Sequence, residues 1–112
     1  MKLLTQEIKN RLPKLYATEG VPLAEKEIIC KFFTPDANAT WYILEGSPIN
    51  DGSDWEFFCY ADLGLGPTCS EFGAVLLSQI QEIRGQLGLP VERDMAYDGW
   101  HRKMGEAVEG IC

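Results

Sequence analysis

The sequence predicts an α+β fold, in which helices near both ends of the chain pack on an antiparallel sheet of about four strands. The first observation is a series of short runs rich in β-branched and aromatic residues, separated by turn-forming residues. The second is the helical spacing of apolar residues at the two ends. With 112 residues, 46% apolar and 24% charged, the chain has the size and composition of one globular domain.

The first predicted element is a helix over Thr5–Tyr16. Thr5 is a suitable N-cap, because its hydroxyl can accept a hydrogen bond from a free amide of the first turn. Pro13 should kink this helix or end it near Leu12. The apolar stripe that would face the sheet consists of Leu4, Ile8, Leu12 and Leu15.

Four strands are predicted next, over Glu27–Thr34, Thr40–Glu45, Trp55–Ala61 and Phe72–Leu77. The turn-rich stretch Gly46–Asp54 should break the second strand from the third. The last run could also begin a helix, and we favour the strand because good capping residues follow it. The first three strands are joined by connections too short for parallel crossovers, which predicts a meander.

The end of the chain contains two further helices and an edge segment. Ser78 and Gln81 form a capping-box pattern, which predicts a short helix over Gln79–Arg84. Val91–Tyr97 should form a short extended edge. Trp100–Val108 has apolar residues at helical spacing and predicts a final helix, within a variable tail over residues 98–112.

Charge is unevenly distributed, although the whole chain has a net charge of −7. Residues 32–83 contain no Lys or Arg, although they contain eight acids. Such a region can be a docking face for a basic partner or a solvated surface that keeps the protein dissolved. Both interpretations stay open. The acids are Asp36, Glu45, Asp51, Asp54, Glu56, Asp62, Glu71 and Glu82, and several precede or follow strands, so we expect them to cluster at one end of the sheet.

Aromatic residues are dense in the predicted strands, and alternation places about half of them on each face. One set must form the core. The other set forms an exposed patch typical of partner sites if no helix covers it, or a second core if one does. The candidate partner-binding residues are therefore two tryptophans and six of the acids, namely Trp41, Trp55, Asp36, Glu45, Asp51, Asp54, Glu56 and Asp62. The aromatic residues are Phe32, Phe33, Trp41, Tyr42, Trp55, Phe57, Phe58 and Tyr60.

No residue set in the sequence predicts catalysis, a cofactor or a metal site. His101 is the only histidine and lies in a charged segment, so it has no obvious partner for nucleophilic catalysis. The four cysteines are widely spaced without the close pairs typical of a zinc site. We expect Cys30 and Cys59 to be buried in strands as small apolar residues; Cys69 and Cys112 complete the set.

Four segments resemble a bacterial family known as domain of unknown function 2958. They are Leu15–Glu19 (LYATE), Lys31–Asp36 (KFFTPD), Thr40–Tyr42 (TWY) and Arg84–Asp94 (RGQLGLPVERD). The similarity covers about residues 1–97. It implies a bacterial cytoplasmic protein often carried by plasmids, conjugative elements or phages. It implies no established activity and no catalytic residues.

Three functions follow from these features. The first is a non-enzymatic interaction protein of a mobile element, which occupies a basic surface of a host nuclease or CRISPR effector as an anti-restriction or anti-CRISPR inhibitor. The second is a plasmid or conjugation accessory protein that contacts nucleic acid through Lys2, Lys9, Arg11 and Lys14, although the absence of Lys and Arg from residues 32–83 disfavours direct nucleic-acid binding. The third is a small-ligand-binding protein or enzyme that uses the loop of residues 84–94, with Arg84 or Arg93 contacting a small anionic ligand. We expect a cytoplasmic location, because the N-terminal apolar run is too short for a signal peptide and no run is long enough to span a membrane.

Overall fold

The computed structural model describes residues 2–63, 70–97 and 102–108. Five strands form one antiparallel sheet, in the spatial order β4-β3-β2-β1-β5. They are β1 (Cys30–Phe33), β2 (Thr40–Ile49), β3 (Asp54–Asp62), β4 (Ser70–Leu76) and β5 (Glu92–Arg93). The helices are α1 (Gln6–Arg11), α2 (Leu77–Glu82) and α3 (Met104–Ala107). The predicted α+β class and meander are confirmed, and the fifth strand lies in the segment predicted as a short edge.

The first helix ends where proline requires it. The hydroxyl of Thr5 accepts a hydrogen bond from the Ile8 amide at 3.3 Å, so Thr5 is the N-cap that was predicted. Helix α1 stops at Arg11 with Leu12 as C-cap, immediately before Pro13. The residues up to Tyr16 are therefore not helical, as the proline led us to expect.

The second strand is longer than predicted, because the residues Gly46, Ser47 and Pro48 do not break it. A bulge after Ile43 shifts the register, and pairing with β3 then continues to Ile49. On the other side of β2, the Gly46 amide donates to the Pro13 carbonyl at 2.9 Å. This end of β2 therefore behaves as an edge, which tolerates a proline. The turn itself contains only residues 50–53.

Helix α2 begins two residues earlier than predicted. Ser78 is inside the helix, and its hydroxyl donates to the Asp54 carboxylate across the sheet at 2.6 Å. Gln79 closes the first turn instead, because its side-chain oxygen accepts from the Leu76 amide at 2.9 Å. The capping-box prediction was wrong in register, since the acceptor came from a distant strand.

The C-terminal segment pairs with the residues before β1. The Ile28 amide donates to the Arg102 carbonyl at 2.7 Å, and the Met104 amide donates to the Lys26 carbonyl at 2.9 Å. Strand β1 is shorter than the predicted range of 27–34, because Glu27 and Ile28 pair with this segment, although the Ile29 amide already donates to the Ile43 carbonyl of β2. The predicted helix of residues 100–108 is described only from residue 102, and its helical part is α3.

The sheet has an apolar cluster on each face. One face is covered by α1 and α2 and includes Leu12, Phe32, Trp41, Phe57 and Ile80. The opposite face carries Ile28, Leu44, Tyr60 and Met104 as its buried centre, with Tyr42, Phe58, Phe72 and Tyr97 packed partly buried around it. The second face is therefore partly covered and partly open. Cys30 and Cys59 are buried free thiols on the helix-covered face, as predicted.

Candidate functional site

A groove of about 480 Å³ lies on the less covered face of the sheet, between the segment Leu15–Lys26 and strands β3 and β4. Its lining is mostly apolar. The apolar residues are Leu15, Tyr16, Val21, Pro22, Leu23, Phe58 and Ala74, and the charged residues are Glu19, Lys26, Glu45 and Glu56. We call this feature the groove and the segment of residues 15–26 its wall.

A buried ion pair fastens the wall to the sheet. Glu45 is 3% exposed and Lys26 is 6% exposed. The Glu45 carboxylate accepts hydrogen bonds from the amides of Tyr16, at 2.8 Å, and Thr18, at 3.1 Å, and from the Thr18 hydroxyl. The Lys26 ammonium donates to the Thr18 carbonyl and hydroxyl and lies 3.7 Å from Glu45. Every charged atom of the pair thus has a partner, as a buried charge requires.

The wall presents apolar side chains to solvent. Tyr16 has a φ of 70°, an uncommon conformation for a bulky residue, and the Glu45 carboxylate holds it in place. The Tyr16 ring is 71% exposed, while Val21 and Leu23 are also exposed at the rim. Exposed aromatic and aliphatic side chains next to an apolar groove are typical of a binding site.

The charges that a ligand in the groove would meet are negative. Glu19 is exposed and Glu56 is half-buried on β3. Among the described residues, Lys26 is the only cation in the lining, and its charge is neutralised by Glu45 inside the protein. The groove therefore favours a ligand that combines apolar groups with positive charge.

Asp36, the first of the predicted partner-binding acids, joins two loops. Its carboxylate accepts hydrogen bonds from the amides of Leu87, at 2.6 Å, and Leu89, at 3.2 Å. Gly85 lies against the same carboxylate, since a Cβ at this position would be 1.5 Å from an oxygen of Asp36. Asp36 thus has a structural role between the KFFTPD and RGQLGLP motifs.

Asp54 and Asp51 lie in or beside the turn between β2 and β3 but differ in their contacts. Asp54 accepts two hydrogen bonds from Ser78 and one from the Trp55 amide, and the Ser78 hydroxyl in particular holds the pKa of Asp54 below its ordinary value of 3.8. Asp51 is exposed with a φ of 57°, a conformation that Asp adopts more readily than most residues.

The predicted acids do not gather at one end of the sheet, so that expectation was wrong. Asp36 precedes β2 and Asp62 pairs with Thr40 at its start, whereas Asp51 and Asp54 follow its far end. The ten residues of β2 separate the two ends by roughly 30 Å at about 3.3 Å per residue. Glu56 is the one of the six acids that both lines the groove and is accessible.

Neither predicted tryptophan forms an open aromatic patch. Trp41 is 5% exposed, so it belongs to the core of the helix-covered face and not to a surface. Trp55 is half-buried against the same core, and the Lys9 ammonium lies 5.7 Å from the centre of its ring. Burial likewise removes Glu45 from any docking surface.

The two arginines suggested for an anionic ligand contact backbone carbonyls. Arg84 donates to the carbonyls of Gln81 and Ile83, both at 2.8 Å, at the end of α2. Arg93 donates to the carbonyls of Lys2 and Leu3 and so ties β5 to the N-terminal segment. These contacts give both residues a structural use and do not bring their guanidinium groups together on a ligand.

Within the residues that the structure describes, no cluster of three or more His, Cys, Asp or Glu could hold a metal ion. No helix in the described ranges is long and apolar enough to cross a membrane. The predictions for His101, Trp100, Cys69 and Cys112 concern positions outside those ranges.

Sequence reasoning missed the groove residues Tyr16, Val21, Leu23 and Lys26. Tyr16 was assigned to the end of the predicted helix, the other three lie between that helix and the first predicted strand, and no periodicity marks them. One signal existed: the LYATE segment is among the motifs that carry the family resemblance. The structure explains that motif, because Glu45 binds its backbone at Tyr16 and Thr18.

A family model for proteins of unknown function, DUF2958, matches residues 3–106. The chain belongs to the DUF2958 family. The match confirms the resemblance carried by the four motifs and extends beyond them into α3. Neither a curated protein nor a solved structure matches the chain.

Proposed function

We propose that this DUF2958 protein is a non-enzymatic protein-interaction module whose groove binds an apolar segment of a partner flanked by Lys or Arg. One observation carries the proposal: a mostly apolar groove whose accessible charges are the carboxylates of Glu19 and Glu56. Apolar contact supplies affinity in such a site, and charge complementarity selects the partner and speeds association.

The partner that fits best is a basic protein of the host that acts on nucleic acid, such as a restriction nuclease or a CRISPR effector. Proteins of this kind carry the Lys and Arg clusters that an acidic protein can occupy. The net charge of −7 and the absence of Lys and Arg between residues 32 and 83 support this choice. The mobile-element setting implied by the family resemblance supports it as well, and both proteins would then meet in the bacterial cytoplasm.

Direct binding of nucleic acid through α1 receives less support. Lys9 is placed over the ring of Trp55, and Arg11 lies 3.7 Å from the carboxylate of Glu27. Half of the four N-terminal cations are thus engaged with other side chains. A salt-sensitive mobility shift with single- or double-stranded DNA would favour this alternative.

The test is a titration of purified restriction nucleases and CRISPR effectors with the protein and its variants. Glu56→Lys reverses a groove charge and should weaken binding by about tenfold or more, because it faces the partner's own cations. Glu82→Lys makes the same change in net charge on α2, which packs on the other face of the sheet. It is the matched control and should leave the dissociation constant within about twofold.

Tyr16→Ser provides an independent test of the apolar wall. It removes a ring that is 71% exposed, so the fold should tolerate it while binding weakens. Equal weakening by Glu56→Lys and Glu82→Lys would show that net charge alone drives association and would reject the groove. Full binding by Glu56→Lys and Tyr16→Ser would also reject it.

A further inference from the structure

Strand β4 forms one edge of the sheet and has β3 as its only paired strand among the described residues. The Leu76 amide donates to Gln79 rather than to its opposite residue Glu56, so it does not point toward β3. In an antiparallel pair this outward direction recurs at every second residue. The backbone groups of Ala74 and Phe72 therefore face outward, where a further strand could pair with them.

The middle of this edge is open on both faces of the sheet because its side chains are small. Ala74 pairs with Phe58, and both line the groove. On the helix-covered face, a Cβ added to Gly73 would meet no atom within 4 Å, and a hollow of about 150 Å³ lies there beside Trp41 and Cys59. A strand placed alongside β4 would find space for side chains on either face.

The accessible charges along this edge are negative on both faces. Glu56 lies opposite Leu76 on the groove side, while Glu71 is exposed and lines the hollow on the other side. No Lys or Arg occurs between residues 32 and 83 to offset them. Glu71 lies near the start of β4 and Glu56 lies opposite its end, so an added strand with apolar residues at its centre and Lys or Arg toward both ends would match this edge.

We infer that the partner segment binds as an added β-strand along β4, with apolar side chains directed into the groove and the hollow and with Lys or Arg near Glu56 and Glu71. The inference rests on the proposed function and adds its mode of binding. Backbone hydrogen bonds to Phe72 and Ala74 would supply affinity, and the apolar and basic side chains of the partner segment would supply selectivity. A second copy of this chain is a poorer occupant, because each copy has a net charge of −7.

The probe is a synthetic peptide of about eight residues, with Val at its central positions and Lys at both ends, and its control has Glu in place of each Lys. Amide hydrogen exchange is followed residue by residue by NMR. With the Val–Lys peptide, exchange at the Phe72 and Ala74 amides should slow by about tenfold or more, as expected for newly formed hydrogen bonds. The Val–Glu peptide should leave these two rates unchanged.

A pair of variants tests the backbone contact directly. Ala74→Pro removes an outward amide with which the peptide would pair, so it should weaken peptide binding about tenfold or more. The fold should tolerate the change, because the pairing with β3 does not use that amide. Ala74→Ser keeps the amide and should bind like the wild type. Thermal unfolding checks that both variants fold, and the exchange result on the unmodified protein decides the matter if Ala74→Pro does not.

Each other outcome rejects the added strand. If the Val–Lys peptide perturbs Tyr16 and Phe58 without slowing exchange at Phe72 and Ala74, the groove binds but the strand mode is wrong. If no peptide binds, while a nuclease or effector still binds through Glu56, the inference fails and the proposed function stands. Protection of β4 that rises with protein concentration alone would identify a second copy as the occupant.

Discussion

Replacing Glu45 by Gln should destabilise the protein more than a polar-to-polar change at a surface would. Gln is nearly isosteric and can still accept from the Tyr16 amide, but it leaves the Lys26 ammonium buried without a counter-ion. Removing one partner of a buried pair costs about 3–5 kcal/mol. Glu45 and Lys26 are 3% and 6% exposed, so solvent offers little relief.

This loss of free energy converts to a measurable change in Tm. At about 2.1 cal/mol/K of unfolding entropy per residue, the 112 residues give about 0.24 kcal/mol/K. A loss of about 3–5 kcal/mol therefore lowers Tm by about 13–21 °C. Calorimetry measures Tm, and urea unfolding followed by tryptophan fluorescence measures the free energy.

A double-mutant cycle separates the ion pair from other effects of the substitutions. Lys26→Met should also destabilise the protein, since it leaves the Glu45 carboxylate without its cation. The double variant has no unpaired charge, so its loss should be smaller than the two single losses combined by about 1–3 kcal/mol. A Glu45→Gln variant within about 0.5 kcal/mol of the wild type, or fully additive losses, would refute this account of the groove wall.

Three further predictions concern residues outside the groove. Gly85→Ala should destabilise the protein by about 1–3 kcal/mol in urea unfolding, because its Cβ would overlap Asp36, whereas Gly20→Ala should be nearly neutral since it meets no atom within 4 Å. Equal losses of stability in Gly85→Ala and Gly20→Ala would contradict the predicted overlap with Asp36. Because folding lowers the pKa of Asp54, its ionised carboxylate stabilises the fold at pH values above its ordinary pKa of 3.8. This contribution to stability is lost as the pH falls through the lower pKa of the folded protein. Asp54→Asn should therefore flatten the loss of stability in acid, and an unchanged acid profile would count against the Ser78 contact. Burial raises the pKa of the Cys59 thiol from 9.0 to about 12, so iodoacetamide at pH 8 should label Cys59 only after unfolding, as peptide mass spectrometry would show; labelling of the native protein would contradict its burial.

Local sequence signals predicted the elements whose partners are also local. Thr5 caps α1 and Pro13 limits it through contacts within one or two turns, so both could be read from the sequence. The aromatic-rich run of β3 and the turn-forming residues before it sufficed for its position in the meander. The start of α2 could not be predicted in the same way, because its acceptor, Asp54, lies 24 residues away.

The groove could not be predicted from the sequence, because the residues that form it are also far apart in the chain. Its wall depends on Glu45, which meets Tyr16 and Thr18 over 29 and 27 residues of sequence. The uneven charge distribution in the sequence indicated a surface for a basic partner, but it could not distinguish structural acids from accessible ones. The structure separates them: Glu45, Asp36 and Asp54 hold the fold together, and Glu56 remains accessible in the groove.

The most direct test of the groove as the partner site is a hydrogen–deuterium exchange footprint of the protein bound to a nuclease or effector identified by titration. We expect protection in residues 15–23 of the wall and residues 70–76 of β4, with little change in the exposed turn at residues 50–52. Protection at that turn, with unchanged exchange in the wall and in β4, would contradict the account.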